Sequence, residues 1–218
     1  MKQLLITLIL LLPLSAISQE ALKDNRTQLQ KEDSFNFYNQ EDITTLDMLE
    51  ALDLASIRIH KFALGRFDKK YNLQIIADEY NQGKIVKTDT LVDYDNTYLY
   101  WIDEKDYAGV IDQIKIFTLT DKNQAELMIK TYSMSTRKEV SLDIEDERQF
   151  FVWREFENSE WKLDQKVPLL VFASSWLDKK YDFHRFCGVM KLNEGERDTK
   201  RLFRDSPNYI IISYRVFE

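Results

Sequence analysis

The chain has 218 residues, of which 44% are hydrophobic and 31% are charged, and its formal net charge is −7 at pH 7. An acidic chain without a lysine- and arginine-rich stripe is not expected to bind nucleic acids or anionic membranes, because both are polyanions. A single cysteine excludes an internal disulfide, so the fold must depend on its apolar core.

The N-terminal residues 1–18 have the pattern of a secretory signal peptide. Lys2 gives a positive start, residues 4–14 are apolar, and residues 16–18 supply the small side chains that a signal peptidase requires before Gln19. The apolar run is shorter than the roughly 20 residues that span a bilayer. We therefore expect cleavage before Gln19, no membrane span afterwards, and a periplasmic or secreted bacterial protein.

Two further regions follow the signal peptide. Residues 19–40 are polar and of mixed charge, which indicates a tether. Residues 41–218 contain few glycines and prolines and no linker that would divide them. We expect this part to form a single β-rich domain.

One short helix is predicted near residues 44–55. Thr44 and Asp47 have the spacing of a capping box, in which each residue satisfies a backbone amide of the other. Acidic residues form a narrow stripe and apolar residues fill the remaining surface, which is typical of a buried helix. We expect it to lie on a sheet face or at the end of a sandwich.

From residue 57 onward apolar residues recur at every second position, which is the period of a strand and not that of a helix. Residues 81–84, Asn-Gln-Gly-Lys, indicate a hairpin turn. Strands are predicted at 57–60, 73–79, 84–92, 97–102, 111–120, 125–133, 139–144, 150–156, 169–176, 183–192 and 209–217.

The longest apolar run after the N-terminus, residues 167–177, predicts a strand buried on both faces, with 209–217 as its neighbour. Residues 139–144 alternate most regularly and predict inward side chains at 140, 142 and 144. Residues 194–207 predict a surface loop or a short helix. The fold class is mainly β, an antiparallel sandwich or barrel-like fold, with α+β as the alternative.

Several segments resemble a family of uncharacterised secreted proteins from Gram-negative gut-type bacteria. They are Leu49-Glu50-Ala51-Leu52-Asp53, Ile57-Arg58-Ile59-His60-Lys61-Phe62, Phe67-Asp68-Lys69-Lys70-Tyr71 and Asp78-Glu79-Tyr80. The Ala-Ile-Ser sequence before Gln19 is similar as well. The resemblance implies an exported protein and carries over neither an activity nor site residues.

Familiar catalytic motifs are absent from the sequence. No glycine-rich loop opens a helix, and Ser174 and Ser175 lack the glycines of a nucleophile elbow, so both serines are expected in the core. Cys187 lies near Asp182 and His184, but its apolar neighbours predict a buried structural thiol. His60 is predicted to be a half-exposed strand residue. We expect no cofactor and no metal.

One segment has the composition of a binding surface, because it combines flat aromatic rings with carboxylates. Such a combination suits a sugar, whose apolar face stacks on a ring while its hydroxyls donate to acids. The alternative is that the aromatics pack in the core and the acids form a solvated turn. The candidate ligand-binding residues are Asp93, Asp95, Tyr98, Tyr100, Trp101, Asp103 and Asp106.

Three functions are compatible with these observations. The leading hypothesis is an exported, non-enzymatic binding domain whose partner is a glycan or a protein. The first alternative is a glycan hydrolase that uses two carboxylates, which requires a pair about 5–10 Å apart. The second is an inhibitor or immunity-type protein, which only the acidic charge balance suggests.

Overall fold

The computed structural model describes residues 43–65, 67, 69–95, 97–101, 107–131, 134–157 and 160–218. The backbone of 98–101 and 107–110 is included without its side chains. The chain divides into two compact units, Met1–Glu50 and Ala51–Glu218. The predicted signal peptide and tether lie outside the described residues.

Helix α1, Thr45–Leu54, forms where the sequence predicts it. Asp47 accepts hydrogen bonds from the Thr44 amide at 2.7 Å and from its hydroxyl at 2.6 Å, and the Asp47 amide donates to Thr44 Oγ1 at 3.2 Å, as in a capping box. These bonds lower the pKa of Asp47.

The prediction that α1 is buried was wrong, because none of its residues is buried. Leu46 is 40% exposed and Leu54 is 89% exposed. Apolar residues surround the helix instead of forming one stripe, so the sequence presents no single face for packing. High apolar content therefore did not predict burial here.

The described residues after α1 are mainly β, as predicted, and their strands form a sandwich-like fold without a closed barrel. The strands are β1 Ile57–Ala63, β2 Asn72–Asn81, β3 Lys84–Tyr94, β4 Tyr98–Trp101, β5 Tyr107–Val110, β6 Gln113–Asp121, β7 Gln124–Lys130, β8 Ser135–Ser141, β9 Phe151–Phe156, β10 Lys166–Ser174, β11 Trp176–Asp178, β12 Phe183–Arg185, β13 Lys191–Leu192 and β14 Asn208–Phe217.

Two large sheets contain most of these strands. One has four strands in the order β1-β6-β7-β8, and the other has six in the order β13-β9-β10-β14-β2-β3. Neighbouring strands are antiparallel except β13 and β9, which are parallel. Two small ribbons, β4-β5 and β11-β12, complete the described sheets.

The predicted central strand, residues 167–177, forms β10 up to Ser174, and β14 lies beside it as expected, whereas Trp176 and Leu177 belong to β11 of a separate ribbon. The side chains of β10 alternate between two buried clusters: Leu170 and Phe172 contribute to one, and Val171 and Ala173 to the other. The strand is therefore covered on both faces. The predicted 81–84 turn also forms, with Gln82 and Gly83 both at positive φ, as a tight hairpin requires.

The first cluster fills the space between the two large sheets. Ile114, Ile116 and Leu127 come from the four-stranded sheet, and Leu73, Phe172 and Tyr214 come from the six-stranded sheet. The second cluster lies on the other side of β10 and includes Leu202 of helix α2, Arg197–Asp205. The 194–207 segment thus contains a short helix, one of its two predicted structures.

Two strand predictions need correction. Strand β8 ends at Ser141, so Leu142 is buried beyond its end while Ile144 is 50% exposed instead of inward-facing. The predicted strand 183–192 consists of two short strands, β12 and β13, in different sheets. Asp182 has a positive φ of 51°, which turns the chain before β12.

Candidate functional site

A cleft of about 1130 Å³ lies between the edge strand β1 of the four-stranded sheet and strand β9 of the six-stranded sheet. We name it the β1–β9 cleft. Its lining consists of alternate residues from β1, a continuous run along β9, and side chains from the neighbouring loops: Ser56, Arg58, His60, Thr120, Lys122, Ile144, Glu147, Gln149, Phe150, Phe151, Val152, Trp153, Arg154, Glu155, Met190 and Lys191.

Strand alternation explains how the residues of β1 reach the cleft. Arg58, His60 and Phe62 are two positions apart and therefore share one face. Phe62 is part of the core between the sheets, so His60 and Arg58 continue that face outward from the core. The same rule places Trp153 and Glu155 of β9 on one face, and Trp153 packs against the same core.

His60 and Glu155 form a polar pair between the two sheets. Nδ1 of His60 lies 2.7 Å from Oε1 of Glu155, and the exposed fractions of the two side chains are 9% and 30%. Nε2 of His60 is buried and has no partner among the described residues. A carboxylate beside Nδ1 favours the tautomer in which Nδ1 carries the proton. Nε2 of the neutral ring is then free to accept a hydrogen bond.

Thr118 supplies a second buried polar atom on the same inner face. It pairs with Arg58 in the β1–β6 ladder, and directly opposed residues of antiparallel strands project to the same side. Its hydroxyl oxygen is buried and has no partner within the described part of the chain. A buried polar atom without a partner costs roughly 1–3 kcal/mol, so two of them need an explanation.

Trp153 forms a rigid wall of the cleft. Its ring stacks on Phe172, with centroids 4.7 Å apart and an interplanar angle of 23°. Its indole N–H donates to Thr120 Oγ1 at 3.0 Å. Stacking and hydrogen bonding therefore fix this side chain in one orientation.

The cleft is cationic although the chain is acidic. Four basic side chains line it, against the two acidic ones of Glu147 and Glu155, in a chain of net charge −7. Arg58 is paired with Asp53 at 2.7 Å. Lys122, Arg154 and Lys191 have no carboxylate partner among the described residues. The unbalanced positive charge favours an anionic ligand.

Arg154 is the most constrained of these cations. Its guanidinium lies over the Phe186 ring, 5.1 Å from the centroid, and Nη1 donates to the Trp153 carbonyl oxygen at 2.9 Å. Its Nε is buried and unpartnered in the described structure. Burial lowers the pKa of Arg154, because desolvation opposes the charged form. Arg154 projects to the face of β9 opposite to Trp153 and Glu155, where it also interacts with the Cys187 side chain, and it reaches the cleft at the open edge of the strand. A carboxylate or phosphate group bound at that edge would compensate this charge.

The other histidine, His184, belongs to a cluster with Ser175 and Asp146. Ser175 Oγ accepts from the Phe150 amide at 3.0 Å and lies 3.2 Å from His184 Nδ1, while His184 Nε2 lies 3.1 Å from Asp146 Oδ2. The order Ser-His-Asp is that of a hydrolase triad, but Ser175 is fully buried. We interpret the cluster as a structural link, in agreement with the core position predicted for Ser175.

Charge and hydrogen bonding also stabilise Asp146. Hydrogen bonds from Arg148, followed by that from His184, lower the pKa of Asp146. Arg148 additionally contacts Asp182 at 3.4 Å. The Asp146 loop is thereby joined to the chain before β12.

Cys187 is buried, as predicted, and belongs to the second apolar cluster. Desolvation raises the pKa of its thiol. A thiol that stays protonated is a poor nucleophile and a poor metal ligand. Among the described residues, no three His, Cys, Asp or Glu side chains are placed to share a metal ion.

The structure describes only some of the seven candidate residues predicted from the sequence. Asp93 and Asp95 are exposed, and Asp93 accepts from Gln74 Nε2 at 3.0 Å. Tyr98, Tyr100 and Trp101 belong to β4, which pairs with β5. Asp103 and Asp106 lie outside the described residues. Neither Asp93 nor Asp95 lines the β1–β9 cleft, and the predicted ligand-binding surface stays a prediction.

The sequence interpretation missed the cleft because it misplaced His60. His60 is 7% exposed and not half-exposed as predicted. The signal was available, since Phe62 shares its strand face and is a natural core residue. Glu155 and Arg154 carried no such signal, because nothing in the sequence states which strand faces β1.

Comparison with known proteins places the chain in a family without a known role. A family model described as a domain of unknown function, DUF5041, matches residues 27–218. No curated protein and no solved structure matches the chain. No described helix has the length and apolar character needed to cross a membrane.

Proposed function

The chain belongs to the DUF5041 family, a domain of unknown function. From the geometry of the cleft we propose that it is a binding domain whose anionic ligand occupies the β1–β9 cleft. The proposal makes the domain non-enzymatic, with a glycan or a protein as the source of the ligand. It includes export, which the signal-like residues 1–18 support.

The observation that carries the proposal is the His60–Glu155 pair. Glu155 orients the imidazole at 2.7 Å, and the opposite ring nitrogen has no partner in the described chain. An unsatisfied buried polar group is destabilising, and His60 is the histidine whose unpartnered nitrogen belongs to a residue of the cleft lining. A ligand hydrogen-bonded to Nε2 would remove that cost.

The charge of the lining sets the character of the ligand. Arg154 is partly desolvated and stacks on Phe186, yet it has no described carboxylate within ion-pair distance. Lys122 and Lys191 add positive charge to the same cleft. An anionic group bound there would gain charge-assisted hydrogen bonds, which are roughly twice as strong as neutral ones.

Thermal unfolding in the presence of acidic probes tests this proposal. The probes are poly-L-glutamate and a hexamer of galacturonic acid, because one is a peptide and the other a glycan. A ligand that binds only the native state stabilises it, by about 2.7 kcal/mol when its concentration is 100 times Kd. We expect at least one probe to raise the melting temperature of the parent.

Two double variants are compared. The cleft variant combines Arg154→Gln with Lys191→Gln, and the control variant combines Lys130→Gln on β7 with Lys138→Gln on β8. Both pairs remove two positive charges, and the second pair is exposed and away from the cleft lining. The cleft pair should lose the stabilisation and the control pair should keep it. Equal responses of both pairs would show that the probes bind by net charge alone.

A glycan hydrolase is the second candidate, and one observation favours it: Glu147 and Glu155 line the same cleft. Two carboxylates are the requirement of most glycosidases. Against this role, Glu155 is already bound to His60. Turnover of a fluorogenic glycoside that both Glu147→Gln and Glu155→Gln abolish would establish the enzyme.

A further inference from the structure

We propose that the occupant of the β1–β9 cleft is an extended acidic peptide segment of a partner protein, which adds to the six-stranded sheet as a strand beside β9. This inference rests on the proposed function and names the ligand class for the same cleft. It follows from the backbone of β9, the position of Arg154 and the apolar side chains at the rim.

Strand β9 has an open edge. On one side it pairs with β10 along residues 151–155, and on the other side β13 pairs with it at Glu155 and Phe156 alone. No described strand pairs with residues 151–154 on that second side. The cleft lining includes every residue from Phe150 to Glu155, so the cleft runs lengthwise along this open edge.

The backbone hydrogen bonds at the two ends of β9 show which of its backbone groups face the open edge. The Ser175 amide donates to the Phe150 carbonyl at 2.7 Å, so the backbone of Phe150 faces the β10 side. The Glu157 amide donates to the Leu192 carbonyl, so Glu157 faces the β13 side. Orientation alternates along an antiparallel strand. The backbone groups of Phe151 and Trp153 therefore point into the cleft.

This edge has the dimensions of a short peptide. At about 3.3 Å per residue, the four open residues 151–154 span about 13 Å. A peptide of about four to six residues would cover the edge. Strand addition takes its affinity from main-chain hydrogen bonds and its specificity from alternate side chains.

Arg154 protects the edge in the unbound domain. Its Nη1 donates to the carbonyl of Trp153, one of the backbone groups that point into the cleft. Charged residues commonly block open sheet edges in this way. When a peptide amide takes over that carbonyl, the guanidinium is released and can bind an acidic side chain of the peptide. Because the released guanidinium then needs a new partner, a peptide must carry an acidic residue to bind at this edge.

Exposed apolar side chains at the rim fit the alternate side chains of such a peptide. Phe150 is 43% exposed, Ile144 is 50% exposed and Met190 is 73% exposed, and all three line the cleft. Lys122 and Lys191 lie in the same lining. Apolar and acidic residues in alternation would therefore be complementary to this surface.

A glycan fits this cleft less well than a peptide. Sugar rings stack on open aromatic faces, but Phe172 already covers one face of Trp153 and Thr120 occupies its N–H. A sugar also cannot form the regular ladder that the Phe151 and Trp153 backbone groups offer. The backbone of β9 favours the peptide.

The test uses residues 19–218 and four probes of defined structure. These are a capped hexapeptide of alternating glutamate and valine, the same peptide N-methylated at alternate amides, its lysine–valine counterpart, and the galacturonic acid hexamer. Binding is measured by calorimetry, and amide hydrogen exchange of Phe151 and Trp153 by NMR. The variants are Arg154→Gln and the control Lys130→Gln.

We expect the glutamate peptide to bind at least tenfold more tightly than its N-methylated and lysine counterparts, and to slow exchange at Phe151 and Trp153. Arg154→Gln should weaken the binding of the glutamate peptide about tenfold, and Lys130→Gln should leave its affinity unchanged. Binding of the galacturonic acid hexamer alone, sensitive to Arg154→Gln, would overturn the peptide while leaving the cleft as the site. Equal binding of the N-methylated peptide would overturn strand addition. No binding of any acidic probe would overturn both proposals.

Discussion

Nδ1 of His60 lies 2.7 Å from Oε1 of Glu155, although 95 positions separate the two residues in the chain. The contact joins β1 of the four-stranded sheet to β9 of the six-stranded sheet. It is a polar interaction at the border between the apolar core and the cleft. Substitutions at Glu155 test what the His60–Glu155 contact contributes to stability.

Glu155→Ala should destabilise the domain more than Glu155→Gln. The alanine variant leaves both His60 nitrogens without a partner, which costs about 1–3 kcal/mol, whereas glutamine retains an acceptor. Urea unfolding followed by tryptophan fluorescence measures the free energy of unfolding. Glu139→Ala, an exposed residue of β8, is the control and should change it by less than about 0.5 kcal/mol. Equal losses in both Glu155 variants would contradict this role of the carboxylate.

Asp146 should make stability depend on acid pH. Its pKa in the folded domain is lowered from 3.8, mainly by Arg148 and then by His184. A lowered folded-state pKa contributes stability that is present above about pH 4 and lost as the pH falls through the folded value. The melting temperatures of the parent and Asp146→Asn should therefore differ at pH 6, and the difference should shrink progressively as the pH falls from about 4 to 2. A constant difference across that range would contradict the assignment.

Cys187 should react slowly with thiol reagents in the native state. It is buried in the second apolar cluster, and burial raises the pKa of its thiol, so little thiolate is present at neutral pH. Labelling with a chromogenic disulfide should become fast only in urea. Cys187→Ser should keep the native fold and the binding of any ligand, and a loss of binding without a loss of fold would contradict a structural role.

Export should be accompanied by cleavage before Gln19. The apolar run at residues 4–14 and the small residues at 16–18 supply the signal. The intact mass of protein recovered from the periplasm or the medium of expressing bacteria measures the cleavage position. A recovered species that retains Met1 would show that these residues are not a cleaved signal.

Much of the fold follows from local patterns in the sequence. The run at 167–177 is apolar at consecutive positions, which requires cover on both faces, and β10 contributes to both clusters. The turn at Gln82 and Gly83 depends on residues that tolerate positive φ. These features are fixed by short stretches of chain, so they could be predicted without knowledge of the tertiary structure.

Burial was harder to predict, because it depends on what lies opposite each side chain. Helix α1 begins with the expected cap but contains no buried residue. Leu202 is fully buried in a helix that is otherwise rich in charge. Neither outcome follows from composition alone.

The candidate site depended still more on tertiary structure. His60 is recognisable as inward-facing from Phe62, but Glu155 joins it only because β9 lies across from β1. The unbalanced charge of Arg154 becomes apparent only when its surroundings are known. The predicted surface at 93–106 stays a prediction, and Trp101→Ala is its simplest test.

The two histidines allow the central claim to be tested in one experiment, because His60 lines the cleft, whereas His184 contacts Ser175 and Asp146 and is not part of the cleft lining. The measurement is the ¹⁵N chemical shift of each ring during titration with the glutamate–valine hexapeptide or the galacturonic acid hexamer, with His184→Gln for assignment. The account predicts that at least one acidic probe shifts His60 Nε2 in a saturable manner and leaves the His184 ring unchanged. Saturable binding of either probe without a change at His60 would contradict it.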